Sequence, residues 1–264
     1  MGVDTTVDTA SCNGRRSTLL LDKLTSHSWP KRRPYMAAHL QKIIDTEGMD
    51  VMFGQEWTDE MAVQITNDLG GHWAFSGGGD NSNCILMYNG LTMQPVPGTL
   101  QQLPVIPGCT IQKMVKLSTG EAAWFVSGHL VSGSGNGVTR AAQIRQIGRA
   151  ILKLPDNLEV IGGFDLNDNT DADAAPEGIR RIAQTEFGLH PIRSQLDNGQ
   201  IAGESIDSTH DWTHECEARF RWKDDVLTRS GARITRARLF HTCRSTERKV
   251  APTDHNTIWA RVVY

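Results

Sequence analysis

Short apolar runs of strand length, each breaking off on a polar residue, constrain this chain more than any other feature. Residues 49–54 (MDVMFG) run into Gln55-Glu56, residues 123–128 (AWFVSG) into His129-Leu130, and residues 158–163 (LEVIGG) into Phe164-Asp165-Leu166-Asn167. Near the C terminus, Thr253-Asp254-His255-Asn256 is followed at once by TIWARVVY. Apolar runs this short, bounded by turn residues, read as buried strands. Segments of helical period lie between them, so the chain reads as α/β.

A helix is predicted from Pro34, where proline is tolerated in a first turn, with Met36, Leu40, Ile43 and Ile44 on one face and Gly48 at its end. Lys31-Arg32-Arg33 then falls in the loop that follows a first strand over residues 6–11. Thr58 is placed to cap a second helix that ends at Leu69-Gly70-Gly71. Residues 72–127 hold strands over 72–76, 83–88, 111–117 and 122–127, separated by Gly, Pro and Asn as in an antiparallel meander. Further helices are expected over 139–152 and 178–187, and strands over 219–227, 237–241 and 257–263. No repeat, low-complexity tract or linker divides the chain, so residues 1–264 read as one domain with a single large core.

The net charge of −3 leaves the partner open, because a local patch can bind phosphate whatever the total. Such a patch exists: residues 219–249 carry ten Lys and Arg against three acids. Five widely spaced cysteines do not form a disulfide framework and read as reduced thiols, with a Cys216–Cys243 bridge as the alternative. No run reaches the about 18 apolar residues of a membrane span. The first residues lack a signal peptide's charged and apolar regions, and the match of Gly2 and Thr6 to a myristoylation pattern is of a kind that chance often supplies. These features lead us to expect a cytoplasmic protein, or a mature form already cleaved, with no obligate protein partner.

The polar strand ends carry chemistry. Asp165 and Asn167, two apart on extended backbone, point the same way and suit a pair that handles a water and a phosphate oxygen; with Asp168 and Asn169 they also suit an Asx-rich turn. Glu56 offers a hard oxygen to Mg²⁺, or is an exposed loop glutamate. His129 precedes a Gly/Ser-rich loop and Arg140-Ala141-Ala142-Gln143, and is either a phosphate donor or a satisfied structural histidine. Asn13 is a ligand or the turn partner of Gly14. A rival metal set, His210, His214 and Cys216 with His241 and Cys243, has a spacing unlike that of closed zinc sites.

Taken in order, Asn13, Gln55-Glu56, His129-Leu130 with its following Arg-x-x-Gln, Asp165-x-Asn167, a carboxylate near Asp224, and Asp254-His255 resemble the motifs of the endonuclease/exonuclease/phosphatase (DNase I-like) superfamily over residues 6–263. The resemblance implies a four-layer α/β sandwich, two mostly antiparallel sheets packed face to face with helices outside. It implies that Asn13 and Glu56, with Asp254 nearby, hold Mg²⁺ or Mn²⁺. His255 would stand at the scissile phosphate, oriented by Asp224 if Val226-Leu227 sets the register, with Asp225 the alternative. His129 would donate to a phosphate oxygen, and Asp165 with Asn167 would position the water. Arg15, Arg32, Arg33, Arg140 and Arg221 are the candidate substrate-binding cations.

Three departures stand out. Gly163-Phe164-Asp165-Leu166-Asn167 replaces the family's Gly-Asp-Phe-Asn, which lengthens the strand by one residue. Residues 76–83 contain no glutamate to partner His129, which leaves it without that partner or borrowing Asp80. Arg221-Trp222-Lys223-Asp224-Asp225-Val226-Leu227 stands where the family has a segment like Arg-Ile-Asp-Tyr-Val-Leu. The abasic-site subtype is less expected, because its members usually carry a tyrosine where this chain has His129. The expected function is metal-dependent phosphoester hydrolysis, foremost of DNA or another nucleic acid. A phosphatase or phosphodiesterase for inositol phosphates, nucleotides or lipid headgroups is the alternative, and a catalytically inactive binding module is a third reading.

Overall fold

A computed structural model describes residues 29–79, 83–104, 107–133, 135–167, 178–195, 224–240 and 257–264. The strand expected over 6–11, Asn13, Arg15, Asp80, Arg221, Asp254, His255 and the rival His/Cys set lie outside the described residues.

Helix α1 (Trp29–Glu47) starts a turn and a half before Pro34, which lies inside it. Pro30, the second residue, needs no N–H donor there, and the carbonyl that Pro34 forgoes belongs to that same first turn, so the interruption is mild. Lys31, Arg32 and Arg33 are therefore helical rather than part of a loop. Arg32 is only 2 % exposed, and Arg33 forms a double hydrogen bond with Asp68 at 2.6 Å through each contact. That bond holds the Asp68 carboxyl below its usual range. The loop expected here is thus corrected to helix, with Arg32 buried and Arg33 engaged by Asp68. The helix ends as expected, at Gly48 with a φ of 73°.

Strand β1 (Val51–Gly54) leads to α2 (Asp59–Asp68), whose cap Thr58 accepts from Met61 N at 3.2 Å. Next come β2 (Trp73–Gly77), β3 (Ile85–Asn89), β4 (Met93–Pro95), β5 (Gln101–Leu103), β6 (Pro107–Lys116) and β7 (Ala122–Leu130). Helix α3 (Gly137–Leu152) crosses to β8 (Val160–Asp165). Helix α4 (Ile179–Phe187), the short β9 (His190–Pro191) and α5 (Ile192–Gln195) follow, then β10 (Asp224–Arg229), β11 (Arg233–Phe240) and β12 (Thr257–Val263).

One sheet has the order β1-β3-β2; a second has the order β4-β6-β7-β8-β10-β9 with β5 also on β6; β11 and β12 form a hairpin. All pairings are antiparallel except β7 with β8, which α3 joins as a crossover. Strand alternation sorts the core into layers. Met36, Leu40, Ala62 and Ile65 of α1 and α2 cover Ile85 and Met87 of β3. Ile144, Ile147, Ile182 and Phe187 of α3 and α4 cover Trp124, Val126 and Phe164 of β7 and β8. Leu86, Phe53, Phe125 and Ile161 fill the space between the sheets. The result is helix, sheet, sheet, helix, as the resemblance implied.

Two glycine contacts fix how closely the layers approach. A Cβ on Gly163 would come within 2.4 Å of the Phe53 ring, so the bare backbone lets β1 lie against β8. A Cβ on Gly128 or Gly162 would strike the Phe164 ring from the other face. Cys84 and Cys109 are buried free thiols, and burial raises the Cys109 thiol well above its ordinary range. No helix among the described residues is long and apolar enough to cross a membrane.

Candidate active site

The inter-sheet faces of β7, β8 and β10 change character along their length. On β7 the inward residues are Phe125, then Ser127, then His129; on β8 they are Ile161, Gly163 and Asp165. Parallel pairing sets His129 beside Asp165, and antiparallel pairing sets Asp224 directly across from Asp165. Direct partners on neighbouring strands share a face. The three ionisable residues thus form one row at one end of the sandwich, above an apolar floor.

His129 is nearly buried, and its Nε2 lies 3.5 Å from Asp165 Oδ2 and 3.8 Å from Glu56 Oε1. Asn167 Nδ2 donates to the Leu130 carbonyl at 2.9 Å and stands 3.2 Å from the same Nε2. Asp165 divides its oxygens: Oδ1 accepts from Asn167 N at 2.9 Å while Oδ2 faces the imidazole. The Asx turn offered by the sequence is therefore present, and the same carboxylate also faces His129. His129 lies one residue inside the end of β7, paired with Gly108, not beyond the strand end.

Glu56 extends from the other sheet. Its side chain is 48 % exposed, and its backbone has a φ of 61°. Left-handed backbone at a non-glycine residue costs on the order of 1 kcal/mol and persists where the surroundings dictate it. Gln55 beside it supplies that constraint, since its Nε2 donates to Ser127 Oγ at 3.2 Å and to the Gly163 carbonyl at 3.1 Å. Ser127 Oγ in turn donates to the Gly54 carbonyl at 3.1 Å. These bonds tie the end of β1 across to β7 and β8. Asn167, with a φ of 47°, is a second non-glycine residue in this conformation, so two of the three such residues described here lie at the site.

The two adjacent aspartates of β10 are separated by strand alternation. Asp225 turns to the helix side, pairing with Arg180 of α4 at 2.5 Å and accepting from Ile192 N at 3.1 Å. Asp224 faces the site side, opposite Asp165. Arg140 is fully buried, and its Nη1 donates to the carbonyls of Val131 at 3.3 Å and Gly133 at 3.0 Å. It braces the loop after β7 from beneath.

Sequence reading missed Asn83. Its side-chain amide lies 3.5 Å from His129 Nδ1, where a glutamate or Asp80 was sought. A polar residue at the head of a strand after a glycine-rich loop was the available signal, and it names no partner. The structural role of Gln55 was missed too, because its two partners lie 72 and 108 residues away. Among the described residues no group of three or more His, Cys, Asp or Glu side chains is arranged to hold a metal ion. Two of the three expected ligands lie outside the described residues; the third, the exposed Glu56 carboxylate, is a hard oxygen of the kind Mg²⁺ and Mn²⁺ take.

No protein-family model and no curated protein matches the sequence. Solved structures match its fold. An endonuclease/exonuclease/phosphatase from Bacteroides vulgatus superposes with a TM-score of 0.70 at 16 % identity, over 92 % of this chain and 93 % of that one. The chain has the endonuclease/exonuclease/phosphatase fold. A mannosyl-6-phosphatase of Bacteroides thetaiotaomicron shares that fold with a TM-score of 0.68 at 14 % identity, over 90 % and 92 % of the two chains. TDP2 of D. rerio, solved with a single-stranded DNA product, gives 0.67 at 18 % identity over 88 % and 93 %. At these identities the likeness is one of fold, and substrate is decided by residues, not by architecture.

Proposed function

We propose that this endonuclease/exonuclease/phosphatase-fold protein is a divalent-metal-dependent phosphoester hydrolase acting on phosphodiester bonds of nucleic acid. The row His129–Asp165–Asp224 on three adjacent strands, with Glu56 facing it from the other sheet, is the observation that carries this reading. A mostly buried imidazole between carboxylates and amides can donate to, or shuttle a proton at, a phosphate oxygen. Asp165 and Asn167 are held rigid by their own turn, so they can orient a water without reorganising.

Glu56 would hold Mg²⁺ or Mn²⁺ together with Asn13 and Asp254, and the ion would neutralise charge developing on the phosphate. Asp224 would orient His255, and His129 would bind a nonbridging oxygen. Nucleic acid is favoured by the arginine-rich β11–β12 hairpin and by the likeness to a protein solved with a DNA product. A second reading, a phosphatase for small phosphoesters, is favoured by the likeness to a sugar phosphatase.

The deciding experiment incubates the purified protein with Mg²⁺ or Mn²⁺ and single-stranded DNA, plasmid DNA, RNA, bis-p-nitrophenyl phosphate, inositol phosphates and a sugar phosphate. Metal-dependent cleavage of DNA or RNA is expected, with loss on chelation. Turnover of the monoesters alone would install the second reading, and inertness toward the whole panel would overturn both.

A further inference from the structure

The hairpin β11–β12 has two faces of opposite character. Ile234, Ala237, Ile258, Ala260 and Val262 pack inward against Ile192 and Val226. Register then places the partners Arg233 and Val263, Arg236 and Arg261, and Arg238 and Trp259 on the opposite, outward face, where the end of α1 covers Trp259 through Ile43 and the Gly48 carbonyl and leaves the arginines at the rim. Four arginines on two short strands is a dense positive field for a chain whose total charge is −3. Arg236 stands directly across from Arg261, and like charges in that position repel.

Among the described residues, Trp259 and Glu47 answer this repulsion. Trp259 lies beneath both, its ring centre 5.8 Å from the Arg236 guanidinium and 5.6 Å from that of Arg261, which orients the two cations without neutralising them. Glu47, at the end of α1 with its side chain only 4 % exposed, pairs with Arg238 at 2.6 Å and with Arg236 at 3.5 Å. Among the described residues Arg233 and Arg261 have no ion-pair partner, and both are exposed. Arg233 and Arg261 thus stand as exposed cations beside Arg236 and Arg238, which share Glu47.

We propose that the outward face of β11–β12 is a docking surface for the phosphate backbone of a nucleic acid. It lies outside the row of catalytic candidates and serves to hold the polymer while that site engages one phosphodiester. Guanidinium forks match phosphate oxygens two by two, and cations fixed on an aromatic floor lose little freedom on binding. The polyanion's identity rests on the phosphodiesterase reading above; the charge geometry of the face does not.

Binding of a labelled single-stranded DNA oligonucleotide is measured by anisotropy in chelator over a range of salt, for the wild type and for Arg233→Gln/Arg261→Gln. Both side chains are exposed, and unchanged melting confirms that the variant folds. Each lost phosphate contact should lower the slope of log affinity against log salt by about 0.7, so the double variant should lose about 1.4 while bis-p-nitrophenyl phosphate hydrolysis with Mg²⁺ stays unchanged. An unaltered slope overturns the proposal, as does arginine-dependent binding of phosphatidylserine vesicles with no DNA binding at low salt. Absent phosphodiester hydrolysis in the wild type refutes the enzymatic reading instead, and the anisotropy still decides the surface.

Discussion

Asp224 and Asp225 are neighbours of identical chemistry whose removal should have opposite consequences. The Asp225 carboxylate is 1 % exposed, lies 2.5 Å from Arg180 and accepts the Ile192 N–H. Asp225→Asn keeps the volume and an acceptor for Ile192 but removes the charge that faces a largely buried guanidinium. Breaking a buried pair from one side costs about 3–5 kcal/mol, and the partial exposure of Arg180 argues for the lower end, about 3 kcal/mol. For a chain of this size each kcal/mol shifts Tm by roughly 2–4 °C, so a drop of about 6–12 °C is expected. Asp224→Asn removes one of two carboxylates that directly face each other and should change stability by less than about 1 kcal/mol. It should, however, lower kcat by about 10²–10⁴-fold, the usual worth of a group that moves or steers a proton. Thermal melts and steady-state hydrolysis of bis-p-nitrophenyl phosphate on both variants test this. A stable Asp225→Asn with abolished turnover, beside a fully active Asp224→Asn, would refute the register on which the site is built.

Glu56→Gln should abolish turnover and weaken Mn²⁺ binding in calorimetry while leaving the melt unchanged, since the side chain is half exposed; unaltered metal affinity would remove Glu56 from the ligand set. Asn83→Ala withdraws the amide that stands at His129 Nδ1 and should lower kcat for bis-p-nitrophenyl phosphate with the melt little changed; an unaltered kcat would mean that this contact does not position the imidazole. Gly163→Ala forces a methyl against Phe53 and should cost about 1–3 kcal/mol in chemical denaturation, with the inter-sheet contact as the cause. Burial, aided by the charges of Asp50 and Glu121, pushes the Tyr264 phenol up to about 12. Its contribution to stability is therefore complete below the unfolded value near 10 and is lost as pH rises toward 12, and Tyr264→Phe should flatten that loss in urea titrations.

Strand and helix identity were legible in sequence because period and punctuation are local properties. The runs leading into Gln55, His129 and Phe164-Asp165 are strands, Thr58 caps a helix, and Gly48 ends one. The layered architecture was legible through the order of the motifs, but the extended backbone expected through Asn167 was not found, because β8 ends at Asp165 and Asn167 turns back in the left-handed conformation. Other features were settled only across the fold. The start of α1 depended on packing that outweighs one internal proline. Arg32, Arg33 and Arg140 look alike in sequence; only the fold decides that Arg32 and Arg140 are buried, that Arg33 meets Asp68 and that Arg140 meets the carbonyls of Val131 and Gly133. Asn83 meets His129 from 46 residues away, and Gln55 bridges two sheets. Backbone period is written within a few residues, so sequence determined which side of each strand would carry the polar groups. Which of those groups meet, and which cations are already spent on neighbours, depends on distances between segments far apart in the chain, and only the packed sheets decide them.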